Sequence, residues 1–313
     1  MRIFEGFDRG IITALITPLT RDLEVKIDVL EDLVEFQLKN GVKGFFALGT
    51  YGEGIALHPR KRKFFTEALR EVLPSSVPLI VNVSTPSLEL SLELALHARD
   101  VGCSAIASLP PLYYKPDTAG ILRFFDHLSK ADIPLLVYNN PAKQGYDLPL
   151  TVFDALVKAV PAVRGIKDSS GSLERLQLLV RSYSSECFIA AARDSFILQA
   201  FLLGADAHIC GLCNAFPEIA AVFGRVASGN LHLSAGIKLQ LLITTLRDAV
   251  KKFNVESPAI VKELLRLRGI DVGVPMPPMR PLEANEVEAL KKKILPIMEE
   301  LQELLGKNLL SPR

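Results

Sequence analysis

The 313-residue chain has no tryptophan, only four cysteines and only five histidines, and its charges nearly cancel. Lys plus Arg total 36 against Asp plus Glu 35, a formal net charge of +1, so no general electrostatic pull draws it to nucleic acid. No apolar run approaches the ~20 residues a membrane-spanning helix needs, and MRIFEGFDRG at the N-terminus lacks the apolar core of a signal peptide. A cytoplasmic location and no membrane partner are expected. Cys103, Cys187, Cys210 and Cys213 lie in apolar runs and are too few for a disulfide framework, so they are expected to be reduced.

Apolar residues are plentiful, at 49% of the chain, and they recur in a regular order. Short runs rich in Val, Ile, Leu, Phe and Ala occupy 11–17, 43–48, 78–83, 105–109, 134–138, 163–167, 187–191 and 207–211. Most are continuously apolar rather than alternating, as in parallel strands buried on both faces. Between most of them lie segments of helical period, such as KIDVLEDLVEFQLKNG and SLELSLELALHARDVG. Gly41, Gly102 and Gly204 follow helical patterns where left-handed caps belong.

Eight strand–helix units predict an α/β fold, a (β/α)8 TIM barrel over residues 1–234. From about Ala235 the strands stop. LSAGIKLQLLITTLRDAVKKF, SPAIVKELLRLRG and LEANEVEALKKKILPIMEELQELLGK predict a C-terminal three-helix subdomain over 235–313.

Chemistry in a barrel sits at the carboxyl ends of the strands. Strand two runs into Gly49, Thr50, Tyr51 and Gly52, strand four into Tyr113 and Tyr114, strand five into Tyr138, and strand six ends at Lys167. An amine there is desolvated, which favours the neutral form and makes it a nucleophile able to form an imine with a ketone. A plainer reading has Lys167 snorkelling to solvent or pairing with Asp168. Nearby phenols weigh against it, because imine formation needs a proton relay and Tyr138 and Thr50 can supply one.

GTYGE, LYYKP, YNNPAKQG and GIKDSSG, in this order, resemble the dihydrodipicolinate synthase and N-acetylneuraminate lyase family of Schiff-base pyruvate lyases. The resemblance spans nearly the whole chain. It implies a class I aldolase or synthase that joins pyruvate to, or releases it from, a small aldehyde or sugar acid, with no metal and no cofactor beyond the lysine imine. It also implies a homotetramer built as a dimer of dimers. By position, Lys167 matches the imine lysine, Tyr138 the relay tyrosine and Thr50 the first loop hydroxyl. Tyr113, favoured over Tyr114 by counting back from Pro116, matches the tyrosine that family dimers exchange. Gly49 and Gly52 bracket the turn whose N–H groups meet the pyruvate carboxylate, and Ile209 matches an apolar wall against the pyruvate methyl.

Three positions depart from the family pattern. Tyr51 stands where a second hydroxyl residue is usual, Lys143 where the synthases carry an arginine, and Arg193 adds a cation near the mouth. Dihydrodipicolinate synthase-like and 2-keto-3-deoxygluconate aldolase-like activities are evenly balanced, with neuraminate cleavage third. Two rivals come from other classes. One is a metal-dependent barrel hydrolase or class II aldolase using Asp194, His208 and Cys210; the other is a non-catalytic binding member. The HPRKRK run at 58–63 is read as a solvated face.

Overall fold

Side-chain alternation sets the architecture. In the computed structural model, which describes residues 3–4, 6–230, 232–306 and 309, eight strands close into one parallel barrel in sequence order. They are β1 Gly10–Ala14, β2 Gly44–Ala47, β3 Leu79–Asn82, β4 Ala105–Ser108, β5 Leu135–Asn139, β6 Val163–Asp168, β7 Phe188–Ala192 and β8 Ala207–Cys210. Along β5, Leu135 and Val137 join the apolar layer under the helices, while Leu136 and Tyr138 join the barrel interior. That period of two explains why the strands read as continuously apolar: both faces are buried.

The barrel is wrapped by α1 Leu30–Lys39, α2 Pro59–Val72, α3 Leu88–Asp100, α4 Thr118–Ser129, the short α5 Pro141–Gln144, α6 Leu150–Ala159, α7 Leu173–Tyr183, α8 Ile197–Leu203 and α9 Glu218–Ala227. Local chemistry starts these helices. Ser87, Asp117 and Ser172 each accept a hydrogen bond from the backbone N–H three residues on, satisfying a donor that the first turn leaves open. Gly41, Gly102 and Gly204 all take positive φ beyond their helices.

Three further helices follow, α10 Leu233–Lys251, α11 Ser257–Leu267 and α12 Ala284–Leu305. They fall where the sequence places them; Lys307, the last residue of the third segment, lies outside the described residues, as do residues 1 and 313 that bound the two expected domains. α10 packs on α8, α9 and α12. α11 is held to the barrel by Arg268 just beyond it, 2.6 Å from Glu218 and donating at 2.7 Å to Ala215 O. No described helix is long and apolar enough to cross a membrane.

Two expectations need correcting. β1 ends at Ala14 rather than residue 17, because Ile16 N–H donates to Asn214 Oδ1 at 3.0 Å instead of continuing as strand. HPRKRK is not uniformly solvated: Arg62 is 2% exposed and donates to Asn82 O at 2.7 Å and Ser84 O at 3.1 Å. Burial lowers its pKa to about 10. The arginine braces the end of β3.

The interior is uneven. Phe4 and Phe7 pack against Phe188 with ring centroids 4.9 and 5.5 Å away, filling one end. Ala105, Ala107, Ala190 and Ala207 keep the remaining lining small, which leaves room for Phe46, Tyr138 and Lys167.

Candidate active site

The β2 loop needs its glycines. A Cβ on Gly54 would lie 2.0 Å from Leu48 O, and one on Gly52 would lie 2.7 Å from Leu48 N and 2.9 Å from Leu15 O. Only glycine permits so tight a fold-back of backbone. Thr17 Oγ1 donates to Gly52 O at 2.6 Å, and Asn82 Nδ2 donates to Leu48 O at 2.9 Å. The loop is thus fixed from two sides, and it carries Thr50 to within 3.3 Å of the Tyr138 hydroxyl.

Tyr138 and Lys167 are direct partners across the β5–β6 ladder, so both point inward. Lys167 is 3% exposed; its Nζ lies 3.6 Å from the Phe46 ring centroid and 3.9 Å from that of Tyr138. Burial pushes the amine below the ordinary lysine value, with the Tyr138 oxygen and the Asp194 carboxylate pulling partly the other way. For Tyr138, burial alone would raise the phenol. The Lys167 charge and hydrogen bonds with Thr50, Asn140 and Lys167 outweigh it and lower the pKa. Asn140 Nδ2 donates to the phenol oxygen at 3.0 Å. An amine made less basic beside a phenol made more acidic is a pair between which a proton moves at small cost.

Asp168 is not the partner of Lys167. Its Oδ2 lies 2.7 Å from Arg175 Nε and accepts from Asn139 at 3.0 Å, while Oδ1 accepts from Ser170. The plainer reading of the strand-six lysine therefore loses its ion pair.

Above this floor opens a cavity of about 670 Å³. Gly49, Thr50 and Tyr138 line its base, and Lys143 reaches its rim from α5. Lys143 Nζ lies 3.6 Å from Glu256 Oε2, both side chains about half exposed. Ile209, 2% exposed, belongs to the barrel interior between Ile12 and Ala192 on the neighbouring strands.

Other residues singled out by sequence lie elsewhere. Tyr51 leaves the cavity and packs against β8: a Cβ on Gly211 would fall 2.1 Å from its ring. Its phenol hydrogen-bonds Ser257, and burial together with Asp194 raises its pKa, keeping it neutral. Arg193, at φ +81, is exposed and lies over Gly171, with Nε donating to Ser169 O at 3.3 Å. Neither Arg193 nor Tyr51 lines the cavity. Tyr113 and Tyr114 stand 89% and 73% exposed, edge to face with centroids 4.9 Å apart, and only Tyr113 has positive φ, at +72.

Asp194, His208 and Cys210 do converge, with one ligand atom from each lying within 4.8 Å of the others. The carboxylate already accepts from Gly211 N at 3.3 Å and Leu212 N at 3.1 Å, and Arg247 lies 3.7 Å away. Burial and Cys213 push the Cys210 thiol well above its ordinary value, and burial lowers His208 to about 4. A carboxylate already held by two backbone N–H groups and set beside a guanidinium is a poor ligand for a cation.

Sequence reasoning missed the anchor of the loop. Glu53, 3% exposed and at φ +57, lies 2.7 Å from Lys262 on α11 and accepts from Met276 N–H. It also missed Glu256, although ESP immediately ahead of an amphipathic helix marks a residue at a helix start.

A profile of the dihydrodipicolinate synthetase family matches residues 8–296. A 4-hydroxy-tetrahydrodipicolinate synthase of Methanopyrus kandleri is 28% identical over 293 residues, 92% of this chain and 96% of that protein. A catalytic-lysine mutant of the Ruminococcus gnavus sialic acid aldolase superposes with a TM-score of 0.90 at 24% identity, covering 97% of this chain and 100% of that one. A variant of the Sulfolobus solfataricus 2-keto-3-deoxygluconate aldolase superposes with a TM-score of 0.86 at 26% identity, covering 94% and 98%. With the barrel closed in the expected order and the match running over almost its full length, this chain belongs to the dihydrodipicolinate synthetase family of class I aldolase-type lyases and synthases.

Proposed function

We propose that the protein forms an imine between Lys167 and pyruvate and uses it to make or break a carbon–carbon bond to a small aldehyde. The observation that carries this reading is a buried amine set 3.9 Å from the ring centroid of Tyr138, which itself lines a cavity large enough for both substrates. The neutral Lys167 amine adds to the pyruvate carbonyl carbon, and Tyr138 passes protons to the former carbonyl oxygen until it leaves as water. The resulting iminium draws electrons from C3, which loses a proton to become an enamine. Attack of the enamine on the aldehyde carbon forms the new bond as the aldehyde oxygen takes a proton, and water then releases the lysine. The reverse course cleaves a 2-keto acid into pyruvate and aldehyde.

In this reading Thr50 and Asn140 orient the Tyr138 phenol, which lies 3.3 and 3.0 Å from them. The Gly49–Gly52 turn offers N–H groups to the pyruvate carboxylate, Ile209 walls off the methyl, and Lys143 meets the acceptor at the rim, while Arg193 stays outside the cavity. Tyr51 acts on binding only through the loop it anchors. Tyr113, exposed and at positive φ, is assigned to the site of a second subunit in a homotetramer of paired dimers. Residues 1–234 form the catalytic barrel and 235–313 the helical subdomain. No metal or further cofactor enters the chemistry. The acceptor is aspartate semialdehyde-like or glyceraldehyde-like, as the relatives named for each reaction suggest.

Borohydride reduction with pyruvate, followed by peptide mass analysis, tests the imine. A modified peptide carrying Lys167 is expected; reduction that leaves Lys167 unmodified sinks the proposal.

A further inference from the structure

The cavity is lined by three charged side chains, Glu53, Lys143 and Glu256. Glu53 is already committed, 3% exposed and 2.7 Å from Lys262. The charges a second substrate would meet are therefore Lys143 and Glu256, which sit 3.6 Å apart with 44% and 56% of their side chains exposed. Together they carry no net charge. The rest of the wall is largely apolar, with Ile55, Leu109, Pro258 and Met279.

Glu256 occupies the position before the first residue of α11, in extended conformation, where a side-chain oxygen usually accepts from the helix N–H groups. Here the side chain makes no such cap. Its carboxylate is turned instead toward Lys143 and the mouth. A residue placed to cap a helix that forgoes the cap leaves its oxygens able to receive other donors.

We infer that Glu256 is a specificity-determining residue that selects a neutral, polyhydroxylated aldehyde and rejects one whose far end is a carboxylate. A hydroxyl entering this rim donates to Glu256 and accepts from Lys143, satisfying both groups without separating them. A carboxylate must either break the pair to reach Lys143 or lie against a second negative charge, and like charges at that range repel. The lysine that would hold an acidic acceptor is thereby neutralised by its own neighbour.

This inference rests on the Lys167 imine, and the experiment separates the two. With pyruvate as donor, kcat/KM is measured for glyceraldehyde and for aspartate semialdehyde in the wild type and in Glu256→Gln. Wild type favours glyceraldehyde at least about tenfold, and Glu256→Gln, which removes the charge but keeps the shape, lowers glyceraldehyde and raises aspartate semialdehyde, each by about tenfold. A wild type that prefers aspartate semialdehyde, or a preference that Glu256→Gln leaves unmoved, overturns the role of Glu256. Borohydride trapping with pyruvate alone is run on both proteins. Label on Lys167 with an unmoved preference overturns the inference and leaves the imine standing; no label on Lys167 in either overturns both.

Discussion

Lys167 and Lys262 are buried to nearly the same degree, 3% and 1% exposed, and burial lowers the pKa of each. What surrounds them differs. Lys262 lies 2.7 Å from the Glu53 carboxylate and donates to Val274 O at 2.6 Å, so its charge is matched and its hydrogens are used. Lys167 meets two aromatic faces and a phenol, with Asp194 the one carboxylate that influences it, and only as a lesser contribution. Burial alone therefore does not make a nucleophile. In the proposed mechanism one amine is a fastener and the other a reagent, because a carboxylate is in contact with the first and not with the second.

The largest expected effect tests the reagent. Lys167→Ala should cut pyruvate turnover by on the order of 10⁴-fold or more, with thermal melting little changed, because no ion pair is broken. Lys262→Met should reverse that pattern. Glu53 is left buried without its partner, costing about 3–5 kcal/mol in a urea titration. Activity lost in the remaining folded protein should trace to a displaced Thr50 rather than to chemistry. If the two variants give the same profile, the contrast collapses.

Tyr138→Phe keeps the ring over Lys167 and removes only the hydroxyl. The expected result is a fall in kcat of about 10²–10⁴-fold, while borohydride trapping of pyruvate slows but still marks Lys167. pH gives another view of the same lysine. Because its folded pKa lies below the ordinary value, the unfolded chain holds a proton between the two that the native protein has lost. Stability should thus rise with pH through that window, and Lys167→Met should flatten part of the rise in urea midpoints. The smallest effect belongs to Tyr51→Phe, which removes the hydrogen bond to Ser257 and should cost about 1 kcal/mol. Trapping of pyruvate should be nearly unaffected.

The barrel was legible because both of its periods are local. Alternation within strands and the apolar spacing of helices leave marks inside a dozen residues, and Lys167, Tyr138 and Thr50 stand at strand ends that those marks define. The Glu53–Lys262 and Lys143–Glu256 pairs left no such mark, since each joins segments distant in sequence that only the folded chain brings together. Arg62 misled for a related reason. Within PRKRK it is one cation among four, and only the helical turn of α2 decides that it, and not Lys61 or Lys63, faces the end of β3. Tyr51 was visible as a departure, but the direction of its ring depends on the bare backbone of Gly211, just beyond β8 and one strand over from β2 across β1.

The placement of α11 has a consequence for how such a protein can change. Glu256 stands just ahead of the helix, Ser257 opens it and Lys262 lies one turn further on. One short segment thus touches the rim, the Tyr51 phenol and the Glu53 carboxylate. Grafting residues 256–262 from a relative would transfer the rim charge and the seating of the loop after β2 as a single heritable unit. Random mutagenesis selected for a new aldehyde should accordingly gather its gains at 256 and lose its survivors at 262.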